Sequence, residues 1–280
     1  MEKGTVLNSI QAFAQYLREE EREQGTIEKY LCDIRLFAAW TGERALDKAL
    51  IAAWKEHLKI QGYKPETING KLSALNKFLR FIEREECLVK PLRIQRRLFR
   101  GIKRDLTKNE YLHLVETAVG LGKHRLALLM ETICATGIRV SEVKYITVEA
   151  IRAGYAEISL KGKIRTILIP SKLCRKLAKY AKKQKIASGE LFVTRNGKGL
   201  SRRQIWAEMK GVSKAAGVEP DKVFPHNLRH LFARTFYRAC RDIAKLADVL
   251  GHSSIETTRI YLITTGVEHA RQLERLGLIS

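Results

Sequence analysis

Between Lys90 and Arg104 the chain reads KPLRIQRRLFRGIKR, fifteen residues with seven basic side chains and no acidic one. Like charges at that density repel one another, and burying an unpaired cation is costly. The segment therefore cannot form the interior of a packed unit, and it divides whatever folds around it. Before it, apolar residues recur every three or four positions. After it they do the same, except over one short stretch of strict alternation. The chain must fold as a helical unit, a basic connection and a mixed second unit.

Residues 5–88 predict four helices. Leu7, Ile10, Phe13, Ala14 and Leu17 mark the first, and Ile27, Tyr30, Leu31, Ile34 and Ala38 the second, which stops at Thr41-Gly42. Leu50, Trp54 and Leu58 mark the third, which stops at Gly62. Pro65 suits the first turn of the fourth, which carries Ile68, Leu72, Leu75, Leu79 and Ile82. Short polar joints make this a compact bundle.

In the second unit, Thr107 with Glu110 predicts a capping box and a helix through Val119. An apolar helix over 124–135 should end at Thr136-Gly137. Tyr155–Ser159 and Ile164–Ile169 alternate on either side of a Lys-Gly-Lys turn and predict a hairpin. Leu191-Phe192-Val193 is expected to add a short third strand, with Asn196-Gly197 as a turn. From 171 to 278 the periodicity is otherwise helical. Ser253 with Glu256 is expected to cap one of the last helices. The expected fold class is mainly α with a small antiparallel β-sheet (α+β). The expected domains are a helical bundle over 1–89, a basic linker over 90–105 and a second domain over 106–280.

Charge narrows the function. The net charge is +22 at 45% hydrophobic residues, which suits a globular protein with a polyanionic partner, nucleic acid before membrane. The surplus is uneven: residues 1–89 hold 14 basic and 14 acidic side chains, and residues 105–280 hold 31 and 16. The five cysteines are scattered without a C-x-x-C, which argues against a disulfide framework or zinc ribbon and suits a reducing cytosol. No run approaches the ~20 apolar residues of a membrane helix.

Three segments could carry chemistry: ATGIRVSE at 135–142, HNLRH at 226–230 and LGHSSIETTRIY at 250–261. His226 and Arg229 share a helix face. His226 and His230 have metal-ligand spacing, but the glutamate of H-E-x-x-H is missing and Arg229 would repel a cation. His230 reads as a packed histidine. His252 falls at a helix–helix junction. Tyr261 alone would read as a packing residue with a wet hydroxyl. Two arginines, two histidines and a tyrosine in a basic chain suggest a phosphodiester site with covalent phosphoryl transfer.

In this order and spacing, ATG-I-R-V-S-E, H-x-x-R, and L-G-H followed nine residues later by Tyr resemble the signatures of the tyrosine recombinase (phage integrase) family. The resemblance covers nearly the whole chain and is similar to Xer-like and mobile-element members. It implies a SAM-like core-binding domain followed by a catalytic domain. It also implies that Arg139, His226, Arg229, His252 and Tyr261 are catalytic, with a hairpin lysine as sixth member. Lys161 is preferred for that role, with Lys163 as the alternative or as a phosphate contact. Arg93, Arg96, Arg97, Arg100, Lys103 and Arg104 in the linker are expected to cross the DNA backbone. Glu142 is expected to brace Arg139.

The resemblance further implies cleavage and rejoining of DNA through a 3′-phosphotyrosine, with no cofactor and no metal. The partners it implies are double-stranded DNA with short inverted sites and a homotetramer on two duplexes, with room for an accessory DNA-bending factor. Val267, Leu273, Leu276, Leu278 and Ile279 in the tail are expected to dock on a neighbouring protomer. The expected location is cytoplasmic. The competing readings are a type IB topoisomerase-like nicking–closing enzyme and a non-catalytic DNA-binding protein.

Overall fold

Residues 4–42, 44–94, 105–160, 163–262 and Glu274 are described by the structure, a computed structural model. The chain divides into two units, Met1–Arg96 and Arg97–Ser280.

The first unit contains α1 (Gly4–Glu19), α2 (Gln24–Thr41), α3 (Lys48–Ile60) and α4 (Pro65–Phe81). The apolar stripes read from sequence supply much of its core: Phe13, Leu17, Ile34, Trp54, Leu58, Leu72, Leu75 and Leu79 are buried, joined by Ile51 and Phe78, which the stripes did not include. Phe13 and Phe78 meet edge to face, with ring centroids 5.2 Å apart. Asp47 caps α3 by accepting from the Leu50 amide at 2.7 Å. One ion pair is nearly buried: Lys71 Nζ donates to Asp33 Oδ1 at 2.7 Å. A 3-10 turn at Glu85–Cys87, not expected from sequence, turns the chain back along α4.

There two asparagines two helical turns apart hold it. Asn76 exchanges hydrogen bonds with the Val89 backbone, and Asn69 with that of Leu92 (Leu92 N–H to Asn69 Oδ1, 2.7 Å). The start of the basic segment is thus strapped to the first unit. Arg93, next along, is exposed. Arg96, Arg97, Arg100, Lys103 and Arg104 lie outside the described residues, as do Lys161 and the apolar tail positions.

The second unit begins with α5 (Lys108–Gly120), whose Thr107–Glu110 capping box forms as expected, and α6 (His124–Thr136). A 3-10 segment (Val140–Tyr145) and α7 (Val148–Ala153) lead into strands β1 (Tyr155–Leu160) and β2 (Lys163–Leu168). These pair antiparallel, with Ala156 opposite Ile167 and Ile158 opposite Arg165. Ala156, Ile158, Ile167 and Ile169 face the core, while Ile164 and Leu168 face outward. Four helices follow β2 up to residue 250: α8 (Ser171–Lys183), α9 (Arg202–Ser213), α10 (Pro225–Cys240) and α11 (Ile243–Leu250). The short α12 (Ile255–Arg259) and a 3-10 turn at Ile260–Leu262 come last among the described elements.

Two local expectations are corrected. The run 191–193 is no third strand: Glu190 bridges Thr147 and Val193 bridges Gly199 as isolated pairs, and the sheet has two strands. Leu191 and Phe192 are apolar because they are buried, which a loop can satisfy as well as a strand. The cap of α12 is Ser254 rather than Ser253. Ser254 has the extended backbone of an N-cap, and its hydroxyl accepts from the Glu256 amide at 3.2 Å.

Candidate active site

Helix α10 places three chemically active side chains on one face. Pro225 fills its first turn, where the missing N–H costs nothing, and His226, Arg229 and His230 follow at helical spacing. Arg229 and His230 are each 2% exposed, whereas His226 is open to solvent.

A buried guanidinium needs partners, and two helix ends supply them. Helix α6 stops at Gly137 (φ +67°) and α11 at Gly251 (φ +63°), both left-handed caps. Carbonyls at a helix C-terminus lack intrahelical donors and lie at the negative end of the helix dipole. Arg229 Nη1 donates to the Gly137 carbonyl, and its Nη2 to the Leu250 carbonyl at 2.8 Å. The neighbouring carbonyls of α11 are also taken by arginines. Arg165 Nη1 donates to Val249 O at 3.3 Å, and Arg139 Nη2 to Gly251 O at 3.4 Å. Three successive carbonyls thus gather three guanidiniums.

One carboxylate answers them. Glu142, on the 3-10 segment, is 1% exposed and accepts from Arg139 Nη1 (2.8 Å), the Arg139 amide (2.7 Å) and Arg165 Nη2 (2.5 Å). The expected brace on Arg139 is present, and a second arginine shares it. The Arg139 side chain remains 41% exposed, so its fork can still reach an incoming anion.

His252 lies between Arg229 and Thr258. Its Nε2 is 2.9 Å from Arg229 Nη2, and its Nδ1 is 2.8 Å from Thr258 Oγ1. A guanidinium only donates, so Nε2 accepts and the ring proton sits on Nδ1, donated to the buried threonine. Burial first, and then the charges of Arg229, Arg139 and Arg165, push the imidazole pKa down to about 4, so the ring is neutral near pH 7. Both nitrogens are engaged. A bond from His252 to a phosphate therefore requires Arg229 to release Nε2. Burial also pushes the Arg229 pKa down, an effect opposed by its interaction with the Tyr261 side chain.

Tyr261 is 7% exposed and enclosed by histidines. Its ring stacks on His252 (5.7 Å between centroids, 12°) and meets His230 edge to face at 4.4 Å. The His226 ring lies 5.8 Å from it. His226 and His230 are themselves edge to face at 5.4 Å. Arg139, His226, Arg229, His252 and Tyr261, drawn from three distant segments, therefore converge. Lys163 opens β2, opposite Leu160 at the end of β1.

Arg165 and the closeness of His230 to Tyr261 were missed from sequence. The signal for Arg165 is parity: it occupies the inward register of β2 with Ile167 and Ile169, where an aliphatic residue is expected.

Residues 104–265 match the phage integrase family, and residues 10–86 match the N-terminal SAM-like domain of phage integrases. The chain belongs to the phage integrase family. Among its relatives, tyrosine recombinase XerA of Thermococcus kodakarensis is 30% identical, with 95% of this chain and 93% of the relative covered. Tyrosine recombinase XerD of Halalkalibacterium halodurans is 26% identical, with 93% and 94% covered. Among solved structures, a lambda integrase dimer bound to a COC′ core site has a TM-score of 0.73 at 21% identity, over 93% of this chain and 95% of that one. XerH bound to its difH substrate has a TM-score of 0.69 at 20% identity, over 94% and 83%. These likenesses place the integrase fold over both units of the chain.

Proposed function

We propose that this integrase-family chain is a site-specific tyrosine recombinase that cleaves and rejoins DNA through Tyr261. The seating of Tyr261 carries the reading. A tyrosine enclosed by three histidines and in contact with a buried arginine is placed for phosphoryl transfer, whereas a protein that only holds DNA gains nothing from it.

The Tyr261 oxygen attacks the scissile phosphorus, and His226, the solvent-open histidine of the group, takes the phenolic proton. Arg139 and Arg229 hold the non-bridging oxygens and stabilise the charge of the pentavalent state. Arg229 comes to this task oriented by two carbonyls and His252, so little is spent on ordering it. The hairpin lysine, Lys161 or Lys163, delivers a proton to the departing 5′ oxygen. The products are a 3′-phosphotyrosine and a free 5′-hydroxyl. A second strand's 5′-hydroxyl reverses the attack. The ester bond energy stays in the protein–DNA linkage, so the exchange needs no nucleotide cofactor.

The basic linker, with Arg93, Arg96, Arg97, Arg100, Lys103 and Arg104, is proposed to track the DNA backbone. The working assembly is proposed to be four copies on two duplexes with short inverted sites, formed in the cytoplasm and open to a DNA-bending accessory protein. A solved lambda integrase tetramer bound to a Holliday junction, TM-score 0.73 over 93% of this chain, supports that assembly. Among the described residues no helix is long and apolar enough to cross a membrane.

The test is a nicked suicide substrate carrying the recognition site, resolved on a denaturing gel. A covalent adduct is expected, lost in Tyr261→Phe and retained in EDTA. No adduct on the cognate site would refute the catalytic reading.

A further inference from the structure

Arg165 is an unusual residue for its place. It sits on the inward face of β2, opposite Ile158 and flanked on that face by Ile167, with its side chain 16% exposed. Burial lowers its affinity for the proton, with Glu142 opposing and Arg139 reinforcing that effect. Its Nε is buried and makes no hydrogen bond among the described residues. A partly satisfied, largely covered cation is a poor device for stability, since a well-packed aliphatic of similar volume often does better. Yet the fold makes room for it. A Cβ on Gly251 would come within 2.5 Å of Arg165 Nη1, so only a glycine lets the guanidinium pass the α11 cap.

What Arg165 joins explains its presence. One Nη bonds Glu142, the carboxylate that braces Arg139, and the other bonds the Val249 carbonyl, three residues before His252. The strand carrying Arg165 starts at the turn expected to hold the catalytic lysine. We propose that Arg165 is a positioning residue that fastens the β1–β2 hairpin, and with it the proton donor for the leaving 5′ oxygen, to the phosphate pocket. The inference rests on the recombinase reading and holds for Lys161 and Lys163 alike. The covered face of the hairpin otherwise rests on the aliphatic side chains of Ala156, Ile158 and Ile167, and Arg165 adds a directional polar tie from that face to Glu142 and the end of α11.

The experiment compares two nicked substrates with the full-length protein. One has the ordinary scissile phosphodiester. The other has sulfur in place of the bridging 5′ oxygen, so the thiolate leaves without needing a proton. Arg165→Met, which retains the packing volume, should slow adduct formation about a hundredfold on the ordinary substrate and remain within about threefold of wild type on the sulfur substrate, as expected for lost general-acid catalysis. Arg165→Lys, which keeps the charge but not the fork, should fall between. DNA affinity by gel shift should be unchanged in both variants, and melting temperatures show which variant remains folded.

Equal slowing on both substrates would overturn the inference, because it would place the defect in the phosphate clamp or in folding. An unimpaired Arg165→Met enzyme would also overturn it. Absence of a wild-type adduct on either substrate would instead remove the recombinase reading itself.

Discussion

His252 titrates far below a free imidazole because it is half buried among three guanidiniums, and that has a consequence for stability. Its folded pKa is about 4, against an ordinary 6.5. Between those values the unfolded chain binds a proton at this position that the folded chain refuses. The contribution of His252 is therefore unchanged above pH 6.5, and stability is lost as the pH falls from there toward 4. His252→Asn removes the titrating group. Its melting temperature should start lower, because the bonds to Arg229 and Thr258 go, but should fall less steeply between pH 6.5 and 4. Parallel melting-temperature profiles for the two proteins would contradict the assignment. The side chains that converge around Tyr261 were legible as candidates from sequence because each sits in a short contiguous motif. Arg165 was not, since an arginine in an alternating strand looks solvent-facing until the covered face is known.

Among the elements, the helix ends do the most for the site. The caps at Gly137 and Gly251 turn the chain sharply enough to leave carbonyls aimed at Arg229 and Arg139. Gly137 also lies against Phe232 of α10, whose Cε1 would be 2.6 Å from a Cβ placed there. Gly137→Ala should therefore lower unfolding stability by about 2–4 kcal/mol, from left-handed strain and overpacking together. Gly120→Ala, with nothing within 4 Å of the new methyl, should be neutral or slightly stabilising. Denaturant midpoints for the two variants check this contrast. The helices were readable because their stripes are long and periodic. The run 191–193 was misread because short apolar runs report burial without reporting pairing. The Ser253–Ser254 slip is a one-residue error in cap register, decided by which backbone is extended.

At the scale of the whole molecule, charge is what separates the two units. Residues 1–89 are neutral overall, and the surplus of +22 lies in the linker and the catalytic unit. Part of it is concentrated on α8, where Lys172, Arg175, Lys176, Lys179, Lys182 and Lys183 are all exposed. Counterion release scales with the phosphates neutralised, so the units should differ in salt dependence. The first unit has its own core and can be studied alone. Isolated, it should bind the recognition duplex weakly, with a shallow slope of log affinity against log salt, and the full chain should show a steep one. Equal slopes, measured by fluorescence anisotropy from 50 to 300 mM salt on the order used for such titrations, would show that the first unit carries the phosphate contacts.

Local pattern was enough to read the helical content, the hairpin and the short motifs whose side chains converge around Tyr261. Each depends on periodicity or on a motif a few residues long, and the physics that sets them acts over the same range. The tertiary structure decided the rest. Which face of β2 is covered determines that Arg165 points inward. The meeting of α6, α10 and α11 supplies the carbonyls that hold Arg229 and drives His252 neutral. The packing of Ile260–Leu262 against α10 seats Tyr261 beside His230. These are convergences of segments up to about a hundred residues apart, and nothing in local periodicity encodes where such segments meet.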